Sequence, residues 1–390
     1  MERDVKRLPY LHSMNILRVL LSLHIMFSHV FPRLLHTNGL PDWFVVLVAS
    51  SAGISTQIFF VMSGFIIAYT YKEIHDRWWK LFIHRIRIVW PTFVISTTAA
   101  CIYFLAFNPN HYSDSLINHQ WDEWWRSIQL IEPWYGDKPL YNIPAWATSV
   151  FALGYLTISI GGKHFLKIGE KAWIPMFATM GVSMAVTLWF VLSHPGELSG
   201  PYVPLKQYSP TEEVFRHYPA YRWLEILVGI FLGVWFRSNP ERWKRNNSRL
   251  SIGLTILIPI IVVPLCMWNA TSAFIITHGL LLALVVVWLA FFAADSNLLS
   301  KWGGNVWMRR ISDHSVAIYF AHWPIHRVLE NILIHQGWSR PLESLWYIPI
   351  YLFSLAVMGA ALKWLVDKMT DPLKIWLLKP IVRTNYASEE

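Results

Sequence analysis

The chain has 390 residues, 54% of them hydrophobic, with 23 Trp and a mean hydropathy of +0.36. Such a composition excludes a water-facing globular surface and points to a polytopic membrane protein. The net charge of +9 suggests nucleic acid in a soluble protein, but here the charge is distributed as a topology signal and no nucleic-acid partner is expected.

Apolar runs of membrane-spanning length recur near 13–33, 43–71, 86–107, 144–160, 172–193, 218–236, 250–267, 271–293, 314–335 and 345–366. They predict an all-α fold, a polytopic membrane protein with about ten transmembrane helices. No fixed-period repeat, linker or second soluble domain interrupts them, so residues 1–390 read as a single membrane domain. The first run carries a charge inside it and lacks a small-residue cleavage site, which predicts that it is retained. With a cytoplasmic N-terminus, 23 of the 33 basic residues fall on predicted inside segments, among them Arg3, Lys72, Arg85, Lys163, Arg242, Arg309 and Lys379. This bias predicts an even number of spans with both termini cytoplasmic. A face so rich in Arg and Lys also attracts an anionic cofactor or a membrane lipid headgroup. Cys101 and Cys266 lie in hydrophobic runs and support neither a disulfide framework nor a thiolate metal site. The outside loop 108–143 carries Trp121, Trp124 and Trp125, which fit interfacial anchors better than a sugar-stacking platform. The loop 194–217, with Pro195, Pro201, Pro204 and Pro210, is expected to cap the helices.

Ionisable groups inside spanning segments are costly, which makes them functional candidates, with structural pairing as the competing account. In the first run Arg18 and His29 are eleven residues apart, about 1100° of helix, so they share one face about 16 Å apart along the axis. Taken singly, an Arg near a helix end is snorkelling and a lone His is a satisfied polar residue. His24 points elsewhere and reads as structural. The second run holds "IFFVMSGF", 58–65, where Ser63 and Gly64 permit close helix packing or line a cavity. "FIHRIRIVWP", 82–91, crowds His84, Arg85 and Arg87 before Pro91. Their bland reading is topology, while guanidinium groups are also favoured phosphate ligands. Arg222 and Glu225, at i and i+3, suit a structural ion pair. "AIYFAHWPI", 317–325, puts Tyr319 and His322 one turn apart ahead of Pro324.

Together these residues resemble acyltransferase family 3, the integral membrane O-acyltransferases that modify cell-envelope sugars. Arg18 and His29 resemble the family's Arg-x10-His signature, and "IFFVMSGFII" is similar to its FFVxSGF segment. "HRIRIVWPTF" resembles its paired arginines before a proline, "RWLEILVGIFLG" its R-x-x-E-x-x-x-G helix, and "YFAHWPI" its late Tyr-x-x-His-x-Pro helix. "DKMTDP" resembles the acidic-Pro end of its last span. Six such motifs occur in family order. Two features depart from the pattern. The family commonly carries Glu five or six residues after a Trp, where "PAWATSVFALGY" offers Phe151 and Ala152 after Trp146, and Arg85 and Arg87 stand two apart where three is usual.

The resemblance implies transfer of an acyl group, acetyl from acetyl-CoA, to a hydroxyl of a cell-envelope polysaccharide or related glycan, in a bacterial inner membrane. Acetyl-CoA would enter as acyl-donor substrate, with no permanently bound cofactor. Arg18, Arg85, Arg87 and Ser63 are the expected donor-binding residues. His29 is the expected general base, because an imidazole titrates near neutrality, with acyl carrier as its lesser alternative. His322 and Tyr319 are expected to position the acceptor or the thioester carbonyl. A multi-pass transporter or flippase, relaying protons through His29, His322 and Arg222/Glu225, is the competing class. Against it, the sequence shows no inverted repeat or paired broken helices.

Overall fold

The computed structural model describes residues 10–45, 47, 52–71, 78–107, 120–135, 141–198, 209–239, 248–268, 274–294 and 298–378. Among them there is no β-strand. The long helices are α1 (Ser13–Val30), α2 (Ala52–Thr70), α3 (Trp78–Phe107), α4 (Ala147–Ile168), α5 (Trp173–Ser193), α6 (Pro219–Ser238), α7 (Ser248–Trp268), α8 (Leu281–Ala293), α9 (Val306–His335) and α10 (Tyr347–Leu378). The basic segments 1–9, 72–77, 240–247 and 379–390 lie outside the described residues, as do 108–119 and 199–208 of the two outside loops and the side chain of Cys266.

Among the described residues six helical stretches are long and apolar enough to cross a membrane: Ser13–Val30, Gly53–Thr70, Val89–Ala106, Ile143–Ser193, Pro210–Ser238 and Tyr347–Pro372. Two predicted runs, 144–160 and 172–193, merge into the fourth of these, although the chain turns between them at Gly169, whose φ is +59°. The run near 271–293 gives a shorter apolar helix, Thr277–Ala293. The segment 314–335 is helical as expected but falls outside the apolar set. Its helix, α9, carries Arg309, Arg310, Asp313, His314, His322, His326, Arg327 and Glu330. Polar groups at membrane depth persist where neighbouring protein covers them, and α9 packs against α1, α3 and α10.

The closest helix pair is α2 with α6. Gly64 of α2 faces the backbone of Ile226 and Ile230, while Gly229 and Gly233 of α6 face the backbone of Val61 and Phe65. Lipid supplies no hydrophobic drive for helix association, so membrane helices associate where small residues let backbones touch. Gly154 serves the same purpose for α4, with the Ile226 side chain occupying the space its Cβ would need. The C-terminal end of α2 is tied down by Arg237, whose Nη1 donates to the carbonyls of Ala68 and Tyr71. Those oxygens have no acceptor role inside the helix once it ends.

Pro324 lies inside α9 and has no N–H to give to the Phe320 carbonyl. Asn142 replaces it, donating from Nδ2 to that oxygen at 3.0 Å. Trp121 and Trp125 of the short helix Gln120–Ile128 are more than half exposed. The helix Pro210–His217 lies against α6, its Glu212 and Arg216 paired at 2.6 Å.

A methyl group at Gly229 meets backbone, and backbone cannot swing aside. Gly229→Ala is therefore expected to destabilise the protein by about 1–3 kcal/mol. Gly181→Ala, in α5 with open space around it, should keep or raise stability, by up to about 1 kcal/mol, because Ala is the better helix former. Thermal unfolding of the purified proteins in detergent checks the contrast.

Candidate active site

Helices α1, α2, α3, α4, α9 and α10 enclose a cavity of about 350 Å³. One end is polar. Arg18 of α1, His84 and Arg85 of α3, Ser312 and Asp313 of α9 and Lys363 of α10 line it. Arg18 Nη1 reaches Ser312 Oγ at 3.5 Å, and Ser312 in turn contacts Asn15, whose Nδ2 donates to the Gly303 carbonyl at 3.0 Å. The Arg85 guanidinium lies 4.6 Å from the centre of the Tyr71 ring, and its Nε is enclosed with no hydrogen-bond partner among the described residues. Lys363 is paired with Asp367. Two guanidinium groups and an ammonium against one cavity-lining carboxylate make this end cationic.

Toward the other end the lining turns apolar, through Met62, Ile66 and Val316, and closes on aromatic rings. Phe59 stacks with Tyr319, centroids 6.1 Å apart, and meets Phe151 edge-on at 5.7 Å. Tyr319 is seven residues beyond Ser312 along α9, a rise of about 10 Å. The Tyr319 hydroxyl donates to the Pro144 carbonyl at 3.0 Å, which fixes the ring. Ser63 also lines the cavity, its hydroxyl turned back onto the Phe59 carbonyl at 2.7 Å.

Just past Tyr319, two histidines from opposite ends of the sequence meet. His29 Nδ1 and His322 Nε2 are 2.9 Å apart, with ring centroids 5.2 Å apart and ring planes 7° from parallel, so the rings meet edge to edge. The His322 ring lies 5.7 Å from Tyr319. Trp323 closes on His29 from the side, edge-on at 6.1 Å. His24 is engaged elsewhere, with Ser55 Oγ at 2.6 Å and the Leu47 carbonyl at 3.0 Å.

Of the residues singled out in the sequence, Arg18, Arg85, Ser63 and Tyr319 line the cavity, and His29 and His322 pair beyond its aromatic end. Arg87 is not brought in. It is 8% exposed, on another face of α3, with Asp371 and Asp367 of α10 as its opposite charges. Two residues along a helix is about 200° of rotation, so Arg85 and Arg87 face opposite ways. Lys363, Asp313 and Tyr155 also line the cavity and were not picked out by sequence reasoning. For Lys363 a signal existed, an ammonium inside the last apolar run. Asp313 and Tyr155 carried no comparable mark.

Arg222 and Glu225 form the expected pair at 2.6 Å, both nearly inaccessible, with Gln57 Nε2 donating to Glu225 Oε1 at 3.1 Å. The Arg222 guanidinium also lies 5.4 Å from the Phe60 ring.

A membrane-embedded helical bundle whose internal cavity runs from a cationic end toward buried histidines is the class these features define. The family model for the acyltransferase domain of acyltransferase family 3 matches residues 11–364. The chain belongs to that family, as the six sequence motifs implied. It is similar to the acyltransferase MdmB of Streptomyces mycarofaciens, at 23% identity over 373 residues, which cover 92% of this chain and 90% of the relative. No solved structure matches the chain.

Glu225→Ala strands the buried Arg222 guanidinium and should cost about 3–5 kcal/mol. In the double variant Arg222→Met, Glu225→Met, neither charge is left alone, so its thermal midpoint should recover most of the loss.

Proposed function

We propose that this membrane acyltransferase moves an acyl group, acetyl from acetyl-CoA, to a hydroxyl of a cell-envelope glycan. The observation that carries this reading is the cavity itself. Its cationic end suits the phosphates of CoA, and the enclosed, unpartnered Nε of Arg85 is a donor that an anion would satisfy. Its apolar middle suits an uncharged, extended arm, and its aromatic end would hold the thioester within one helical turn of His322.

On this reading Arg18 and Arg85 hold the donor phosphates, supported by Lys363. Ser63 borders the arm. Arg87, with Asp367 and Asp371 of α10 as its opposite charges, stands outside the cavity and acts behind Arg85. Tyr319 bounds the thioester. His29 takes the proton of the acceptor hydroxyl as its oxygen attacks the thioester carbon. The new C–O bond forms, the C–S bond breaks, and the proton passes from His29 to the departing CoA sulfur. No net proton is consumed.

The topology that fits this chemistry has ten membrane crossings with both termini cytoplasmic, in a bacterial inner membrane. CoA would then enter from the face that carries Arg18 and Arg85. The glycan hydroxyl would reach His29 from the opposite face, since His29 stands at the far end of α1 from Arg18.

Release of CoA thiol and transfer of labelled acetyl, followed with purified protein in lipid nanodiscs, test the reading. His29→Ala should lower turnover by about 10²–10⁴-fold while the protein remains folded; near-normal turnover would remove His29 from the base role. Arg85→Ala should raise the donor KM with a smaller change in kcat. Arg87→Ala should lower the thermal midpoint more than it changes that KM.

A further inference from the structure

We propose that His322 is a positioning residue which fixes the tautomer of His29 and leaves Nε2 of His29 as the basic atom. The inference rests on the acyltransferase reading for its consequence, and on hydrogen-bond polarity for its argument. It starts from the backbone. His322 Nδ1 lies 2.5 Å from the carbonyl oxygen of Tyr319. A carbonyl oxygen has no hydrogen to give, so Nδ1 of His322 carries the proton.

A neutral imidazole has one N–H and one lone pair. With its proton at Nδ1, His322 offers a lone pair at Nε2. That lone pair faces His29 Nδ1 at 2.9 Å, so His29 Nδ1 is the donor. Nε2 of neutral His29 is then the atom left with a lone pair. The opposite order would set the Nδ1 lone pair of His322 against the carbonyl lone pairs of Tyr319. Two imidazolium rings with centroids 5.2 Å apart in a medium of low dielectric would repel strongly, so the pair holds at most one charge. His29 Nε2 makes no hydrogen bond among the described residues and is not among the polar atoms sealed in protein.

The surroundings hold this order in place. The Tyr351 hydroxyl donates to the His322 carbonyl at 3.1 Å, and the Tyr319 hydroxyl is fixed on Pro144. Asn142 occupies the Phe320 carbonyl that Pro324 leaves open. The turn of α9 that presents the Tyr319 carbonyl is therefore tied to neighbouring segments before any substrate arrives. When His29 accepts the hydroxyl proton at Nε2, its Nδ1–H bond to His322 becomes charge-assisted and strengthens. His322 thus does for His29 what a carboxylate does in a catalytic triad, while remaining neutral. A neutral partner holds the imidazolium less tightly, which favours return of the proton to the CoA sulfur.

Solid-state ¹⁵N NMR of the histidine-labelled full-length protein in lipid bilayers reads the tautomer directly, with the His29 signals assigned by their loss in His29→Gln. The expected spectrum has a protonated Nδ1 and an unprotonated Nε2 for His29. A protonated Nε2 on neutral His29 would overturn the proposal, and this measurement needs only the unaltered protein and its assignment variant. His322→Leu removes the acceptor and should lower kcat about 10²-fold with the donor KM unchanged. His322→Gln, whose Oε1 can accept from His29 Nδ1, should recover most of that loss. Equal loss of kcat in the Leu and Gln variants, or none in either, would refute the positioning role. The two readings fail separately: normal turnover in His29→Ala ends the base assignment, whereas the ring-nitrogen spectrum decides the tautomer whatever the turnover.

Discussion

Pro324 deprives the Phe320 carbonyl of its helical donor, and the buried oxygen must find another partner or cost free energy comparable to a lost hydrogen bond. Asn142 supplies it. Around that exchange one stretch of α9 becomes the junction of the molecule. Its Tyr319 hydroxyl reaches Pro144, its His322 carbonyl takes the Tyr351 hydroxyl, and its His322 ring meets His29. The segment before α4, together with α10 and α1, is thereby registered on a single turn. Where water is excluded, unsatisfied polar groups are expensive enough to dictate such registration. The reactive-looking histidines are therefore held by the same bonds that complete the backbone of a proline-broken helix.

Charge is partitioned with similar economy. Arg222 is paired with Glu225 beside aromatic faces, and Gln57 donates to the same carboxylate, so the two charges are balanced against each other away from the cavity. Arg87 does not line the cavity, and Asp367 and Asp371 of α10 are the opposite charges it feels. Arg85, two residues away on the same helix, faces the polar end of the cavity with an aromatic ring beneath it. An arginine supported by a π face keeps its orientation while its outer donors stay available. The contrast between neighbours on one helix separates the cations that build the bundle from those that can address an anion.

Much of this was legible in the sequence because helical geometry is regular. Hydrophobic length located the long helices, and the eleven-residue spacing of Arg18 and His29 placed one at the cationic end and the other beyond the aromatic end. The i,i+3 spacing of Arg222 and Glu225 gave their contact. What stayed hidden depended on which helices are neighbours. His29 and His322 are 293 residues apart, and no local pattern says that their rings touch. Lys363 joins the cavity only because α10 packs on α3 and α9. The apolar run 314–335 located α9, yet that helix is too polar to stand among the six apolar stretches, since the residues that make it polar include those that face His29 and the cavity.

Phe151 lines the aromatic end of the cavity. The family pattern places a carboxylate near this position, and here an aromatic ring stands in its place, packed edge-on against Phe59 and Phe60 at the end of the cavity. Glu225 on the adjoining α6 does not compensate, because Arg222 and Gln57 already hold it. With no carboxylate directed at His29 among the described residues, orientation of its ring falls to His322 and, through it, to a backbone carbonyl. A backbone oxygen cannot titrate or be removed by substitution at its own position. An imidazole ordered in this way would keep its lone pair on one nitrogen for as long as the α9 turn is folded, which makes the integrity of that turn, more than any acidic neighbour, the condition for the base chemistry proposed at His29.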